Sequence, residues 1–195
     1  MVTRSRDGSR WRIGTDAEVA WIVAGTDYHS GLPTSRTRTI TGAIPAAFEA
    51  YATVAVAYGR ERDVHDQALL TVLREQSPGQ RWWLGYLDTG VDDIVFPDAP
   101  KVTLYARWHY VLIEAGPDQA AAWRPDGGRA FGTGDLPNLK FPADRSWLVS
   151  TLWDDDWTCI GGPAGLVDRV LRHPDLRATP VALGQDVTPP GHEGL

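Results

Sequence analysis

Residues 82–116 constrain the fold more than any other part of the chain. WWLGYL at 82–87 is a strand candidate, Asp88-Thr89-Gly90 is a hairpin-type turn, and residues 91–96 follow as a second strand. Pro97-Asp98-Ala99-Pro100 marks another turn. The stretch VTLYARWHYVLIEAG after it is rich in β-branched and aromatic residues but too long for one ordinary strand, so a bend or bulge is expected near Ala106-Arg107. Strands joined by tight turns leave no room for the helical crossovers that parallel pairing needs. The centre of the protein is therefore expected to be antiparallel.

Helical signals flank this centre. Thr15-Asp16-Ala17-Glu18 fits a capping box, with Thr15 as N-cap and Glu18 at N3, and predicts a short helix ending at Gly25. The Val, Ile and Trp content of that segment suits a strand equally well. Residues 27–41 are polar and aperiodic and read as a long loop. Ile44-Pro45 opens a second expected helix that stops at Gly59, with Phe48, Tyr51, Ala52, Ala55 and Val56 along one stripe. A third spans 64–75, with Ala68, Leu69, Val72 and Leu73 facing inward, and Ser77-Pro78-Gly79 breaks it.

Downstream, Pro117-Asp118 starts a short helix through Trp123, and 124–141 is a Gly- and Pro-rich loop. Residues 146–153 form a strand, 163–172 a helix, and 178–183 a short last strand. The expected fold is α+β: a mainly antiparallel central sheet flanked by several helices. It is read as a single domain over 1–195, with 1–10 and 184–195 as flexible ends.

Composition narrows the function classes. A net charge of −6 argues against nucleic-acid binding, which needs clustered Lys and Arg, and is compatible with a basic protein partner. The basic residues are nearly all Arg, with Lys101 and Lys140 the exceptions. One cysteine excludes an internal disulfide and a cysteine-built zinc site. Residues 1–10 carry no apolar signal core, and no run approaches the ~20 apolar residues of a membrane span, so no membrane partner is expected and the chain reads as cytoplasmic.

The residues that bring most chemistry together are Trp153, Asp154, Asp155, Asp156 and Trp157. Adjacent carboxylates hold a hard cation, or serve as acid and base when their repulsion splits their pKa values. In an extended strand Asp154 and Asp156 would share one face; in a turn the two tryptophans would pair across a hairpin. A solvated acidic turn capped by packed tryptophans is the plainer reading, and no further acid follows at calcium-loop spacing. Cys159 lies outside any cysteine-protease pattern with His29, His65, His109, His173 or His192, and reads as a small buried hydrophobe. Gly161-Gly162-Pro163 opens a helix and would offer backbone N–H groups to an anion, but no GxGxxG or Walker pattern accompanies it, and no cofactor is called for. His109 reads as structural, and Ser146 and Ser150 lack the nucleophile elbow of a hydrolase.

Nine tryptophans complete the picture, and on the premise of one core at most half of those in strands face inward. The leading expectation is a non-enzymatic protein-interaction domain with an acidic, Trp-rich binding face at residues 153–157. The segment IPAAFEAYATVAVAYG, read as a helix before a sheet, resembles the SUKH immunity superfamily. That resemblance implies toxin neutralisation by direct binding, and no residue is carried over from it. The alternatives are a metal-dependent enzyme using Asp154 and Asp156, and a small-molecule pocket lined by tryptophans.

Overall fold

The computed structural model describes residues 2–4, 10–27, 39–90, 94–124, 135–152 and 155–189. Its ten strands are β1 (Val2–Arg4), β2 (Arg10–Ile13), β3 (Ala50–Ala55), β4 (Trp82–Leu87), β5 (Lys101–Leu104), β6 (Trp108–Ala115), β7 (Leu139–Pro142), β8 (Leu148–Ser150), β9 (Trp157–Gly162) and β10 (Ala178–Pro180). The helices are α1 (Asp16–Gly25), α2 (Glu61–Gln76), α3 (Pro117–Ala122) and α4 (Ala164–Arg172). All strands join one sheet in the order β1-β2-β6-β4-β7-β8-β9-β3-β10, with β5 beside the first half of β6. Every pairing is antiparallel. The α+β class with a large antiparallel sheet is as the turn-rich centre predicts.

Several local expectations hold for the reasons given. Glu18 reaches back over the start of α1, where one carboxylate oxygen accepts the Thr15 N–H at 2.7 Å and the Thr15 hydroxyl at 2.6 Å. Ala68, Leu69, Val72 and Leu73 of α2 are buried, and Gly79 takes φ +72 just beyond its end. At Tyr105-Ala106-Arg107 the long central run does not merely bend. It reverses fully into the β5–β6 hairpin, with Tyr105 and Arg107 at positive φ.

The expected helix over 44–59 is not formed. Residues 50–55 are β3, hydrogen-bonded to β9 on one side and β10 on the other. Five of its six residues are buried, so this apolar run is covered on both faces. A run apolar on both faces satisfies helical and extended spacing alike, and Tyr51, Thr53 and Val54 favour the strand. The resemblance to the SUKH superfamily rested on that helix and has no carrier here. Of the expected strand at 91–96, residues 91–93 lie outside the described residues. Ile94–Phe96 forms no strand, and Phe96 (φ +54) starts a turn closed by Ala99 N–H to its carbonyl at 2.9 Å. β4 instead pairs with β6 and with β7, which lies at the end of the expected loop 124–141.

The sheet carries a core on each face. On one, α2, α3 and α4 cover Trp82, Leu84, Tyr86, Val111, Ile113, Trp147, Val149 and Ile160. On the other, α1, the segment around Ile40–Ile44 and β5 cover Trp83, Tyr110, Leu112, Leu139, Phe141, Leu148 and Trp157. The premise of a single core is thereby corrected: alternate tryptophans on a strand can all be buried when both faces are covered. Trp82 and Trp147 meet edge to face at 5.0 Å, and both indole N–H groups donate to Ser77 Oγ. Parts of both chain ends pack as well, since β1 pairs with β2 and Val187 is buried beside the Thr39–Asp186 bridge. Among the described residues, no helix is long and apolar enough to cross a membrane.

Candidate functional site

A cleft of about 110 Å³ opens on the α2 face, where one end of the central strands meets the first half of that helix. Strand alternation selects its floor. Trp157 and Cys159 turn to the opposite core, so Thr158 faces the cleft; Leu139 and Phe141 do likewise, so Lys140 faces it. Val56, just past β3, and Thr151, just past β8, complete the strand side. The roof is Arg62, His65, Asp66 and Leu69, spaced i, i+3, i+4, i+7 on one face of α2. Glu61 and Asp63 in the first turn favour the helix dipole there.

Asp66, only 3% exposed, organises the roof. It accepts from Arg124 Nη1 at 2.8 Å and meets His65 Nδ1 at 3.1 Å, with Arg62 Nε at 3.7 Å. Burial alone would raise its pKa. The His65 hydrogen bond and the Arg124 and Arg62 charges outweigh that and hold it below the usual carboxylate range. An ionised carboxylate only accepts, so Nδ1 of His65 carries a proton; in the neutral imidazole Nε2 is then the acceptor. Nε2 is buried and has no hydrogen-bond partner among the described residues. Arg62 also holds Asp135 at 2.7 Å on the rim.

Lys140 is the least expected member. It is 2% exposed on β7, its neighbours across the sheet are Leu84 and Val149, and Nζ donates to the Pro137 carbonyl at 2.5 Å. Burial pushes its pKa down to about 8; the Asp66 charge opposes that shift and Arg124 adds to it. Thr151 and Thr158 share a hydroxyl hydrogen bond at 2.8 Å on the same floor. The arrangement thus offers donors from Lys140 and Arg62, two hydroxyls, and one imidazole acceptor.

Comparison with known proteins adds no identity. No family model, curated protein or solved structure matches this chain.

Of the five residues singled out in the sequence, Trp153 and Asp154 lie outside the described residues. Asp155 is half-buried, donates its N–H to the Leu152 carbonyl at 3.2 Å, and lines the cleft. Asp156 is half-buried and accepts the Val56 N–H through its backbone carbonyl at 2.8 Å. Trp157 was expected at the surface and is instead 1% exposed, because it begins β9 and faces the second core. Among the described residues, no group of three or more His, Cys, Asp or Glu side chains is placed to hold a metal ion. Cys159 is buried, as expected of a small hydrophobe. The α4 N-terminus has a partner within the chain, since the Glu49 carboxylate accepts the Ala164 N–H at 3.0 Å. His109, expected as structural, is exposed on β6.

His65, Asp66 and Arg62 were missed, though a signal for them exists. The apolar stripe of α2, carried back from Leu69 by three, four and seven residues, lands on Asp66, His65 and Arg62. An inward stripe that turns ionisable at one end marks where a helix leaves dry core for a site. Lys140 had a weaker mark as one of two lysines in an Arg-rich chain, set between Leu139 and Phe141.

Proposed function

We propose that the chain binds a small carboxylate-bearing ligand in the cleft between α2 and strands β7, β8 and β9. One observation carries this reading: the ionisable side chains among the buried polar residues described, His65, Asp66 and Lys140, all line this one cleft. Burying an ionisable group costs several kcal/mol unless partners compensate, so three together argue for a purpose beyond packing.

The donor pattern supports the ligand class. Lys140 has ammonium hydrogens to spare after its bond to Pro137, and the buried Nε of Arg62 has no hydrogen-bond partner among the described residues. Both suit an anionic oxygen, and His65 Nε2 suits a hydroxyl or hydrated carbonyl on the adjoining carbon. Size restricts the choice. A cavity of roughly 150 Å³ takes a benzene molecule, so about 110 Å³ holds roughly four to six non-hydrogen atoms. Small hydroxy and oxo acids fit. Among the described residues no tryptophan lines the cleft, so this reading replaces indole contacts with charged and hydroxyl ones.

The test is titration calorimetry with lactate and pyruvate, with ethanolamine as a cationic control. Binding of the acids, lost in Lys140→Met and kept in Ser150→Ala on the opposite face, is the expected result. Equal heats from ethanolamine, or acid binding undiminished by Lys140→Met, would remove the proposal.

A further inference from the structure

The proposed ligand site contains a group that does more than attract an anion. We propose that Lys140 is a carbonyl-reactive amine, which forms an imine with a small oxo acid held in the cleft while His65 carries the proton. This rests on the ligand reading above and extends it from binding to covalent chemistry.

Three geometric facts carry it. First, Lys140 is buried on β7 with Leu84 and Val149 as its cross-strand partners, and it lines the cleft of about 110 Å³ under α2. Second, no carboxylate among the described residues forms an ion pair with it. Asp66, the buried acid of the cleft, is held by Arg124, His65 and Arg62 instead. A buried ammonium without a carboxylate partner releases its proton readily, and the free amine is the nucleophile. Third, His65 Nε2 is buried with no hydrogen-bond partner among the described residues, while Nδ1 lies 3.1 Å from the Asp66 carboxylate, which orients the ring. The lowered pKa of Lys140 agrees with this arrangement.

The step balances without a further reagent. The Nζ lone pair forms a C–N bond to the carbonyl carbon as the C=O π pair moves to oxygen. His65 takes a proton from the nitrogen and returns it to that oxygen, which leaves as water once a second proton from nitrogen reaches it. The product is a C=N bond and one water, with nothing oxidised or reduced. The Thr151–Thr158 hydroxyl pair lies on the same floor and can hydrogen-bond the oxygen during its departure.

The experiment uses the full chain with pyruvate, in paired samples: calorimetry for binding, and cyanoborohydride reduction with peptide mass mapping for the imine. The chain has two lysines, and Lys101, salt-bridged to Asp88 on the surface, serves as an internal control. The expected result is one reduced pyruvate adduct on Lys140, absent in Lys140→Met. In His65→Gln, trapping measured at pyruvate concentrations that saturate the variant by calorimetry slows on the order of 100-fold, the usual contribution of a positioned acid–base group, over and above any loss of affinity. Pyruvate binding without an adduct on Lys140 overturns the imine and leaves the binding site standing. An adduct confined to Lys101 or the N-terminal amine overturns it as well. Absence of both binding and adduct removes the ligand reading together with the imine.

Discussion

The two faces of the sheet are equally well covered, yet they bury different polar matter. On the face under α1, the buried polar groups around Tyr105 are neutral: its hydroxyl meets Ser150 Oγ at 2.8 Å and the Ala43 carbonyl at 3.1 Å, and Cys159 lies across from Ser150 and Thr53. On the face under α2, His65, Asp66 and Lys140 are buried at one end, while the other end is closed by Trp82, Trp147 and Ser77. Neutral hydroxyls can be satisfied locally at little net cost, whereas charges demand compensation from several elements at once. Asp66 draws on α2 and on Arg124, beyond α3. The difference is the energetic ground for the proposed site: among the described residues, ionisable groups are retained in the interior at one end of one face, and nothing about packing alone requires them there.

The largest test of that contrast removes the central carboxylate. Asp66→Ala removes the buried carboxylate that Arg124 and Arg62 share and leaves them only rim acids, Asp63 at 3.9 Å and Asp135 at 2.7 Å, among the ion pairs of the described residues. Breaking one partner of a buried ion pair costs about 3–5 kcal/mol, and urea denaturation measures it directly. A cost near 1 kcal/mol would mean that the α2 face tolerates its charges as a surface does, and the contrast would vanish.

That contrast also explains what could and could not be read from residues alone. The antiparallel class was legible because strand-forming runs are broken by turn residues too closely for helical crossovers, and α1 because Thr15 and Glu18 make a local motif; the pairing was not, since β4 pairs with β6 and β7 and no strand forms at 94–96. The assignment of 44–59 failed because a run apolar on both sides carries no period to decide between helix and strand, and only its pairing with β9 and β10 settles it. The acidic run at 154–156 drew attention because its chemistry is contiguous in sequence. The cleft is assembled from α2, β7, β8 and β9, whose members are separated by long stretches of chain, and among the described residues only Asp155 belongs to both sets. Contiguity is visible in a sequence, whereas convergence is produced by the sheet.

A second, pH-dependent test concerns Lys140. Its pKa falls from 10.5 unfolded to about 8 in the folded chain. Between those values the unfolded chain holds a proton that the folded chain has released, so stability rises with pH across that window and is flat below it. The shift corresponds to a gain on the order of 3 kcal/mol. In Lys140→Met this rise disappears, and the variant is as stable as wild type or more so at pH 7. Asp66 and Arg124 act on this lysine, and Arg62 and His65 share its cleft, but none of them gains or loses a partner in the variant. Burial pushes the Tyr86 and Tyr105 hydroxyls above their usual range, and these titrate alike in both proteins and cancel in the difference. Urea midpoints at pH 7 and pH 10 for the two proteins give the answer. Parallel curves would place Lys140 in contact with water and weaken both proposals.

The smallest effect belongs to the other face. Ser150→Ala deletes one of the two groups that the Tyr105 hydroxyl meets, and the hydroxyl keeps the Ala43 carbonyl as its acceptor at 3.1 Å. No donor is stranded, so the cost is that of one neutral hydrogen bond, about 0.5–1.5 kcal/mol. The methyl left at position 150 suits its neighbours there, Tyr105 and Cys159. Because the site is uncharged, the loss should be the same at pH 5 and pH 8 in urea denaturation, unlike any change made in the cleft. A cost above 3 kcal/mol, or one that varies with pH, would show that the α1 face also depends on ionisation and would erase the asymmetry on which the assignment of the cleft depends.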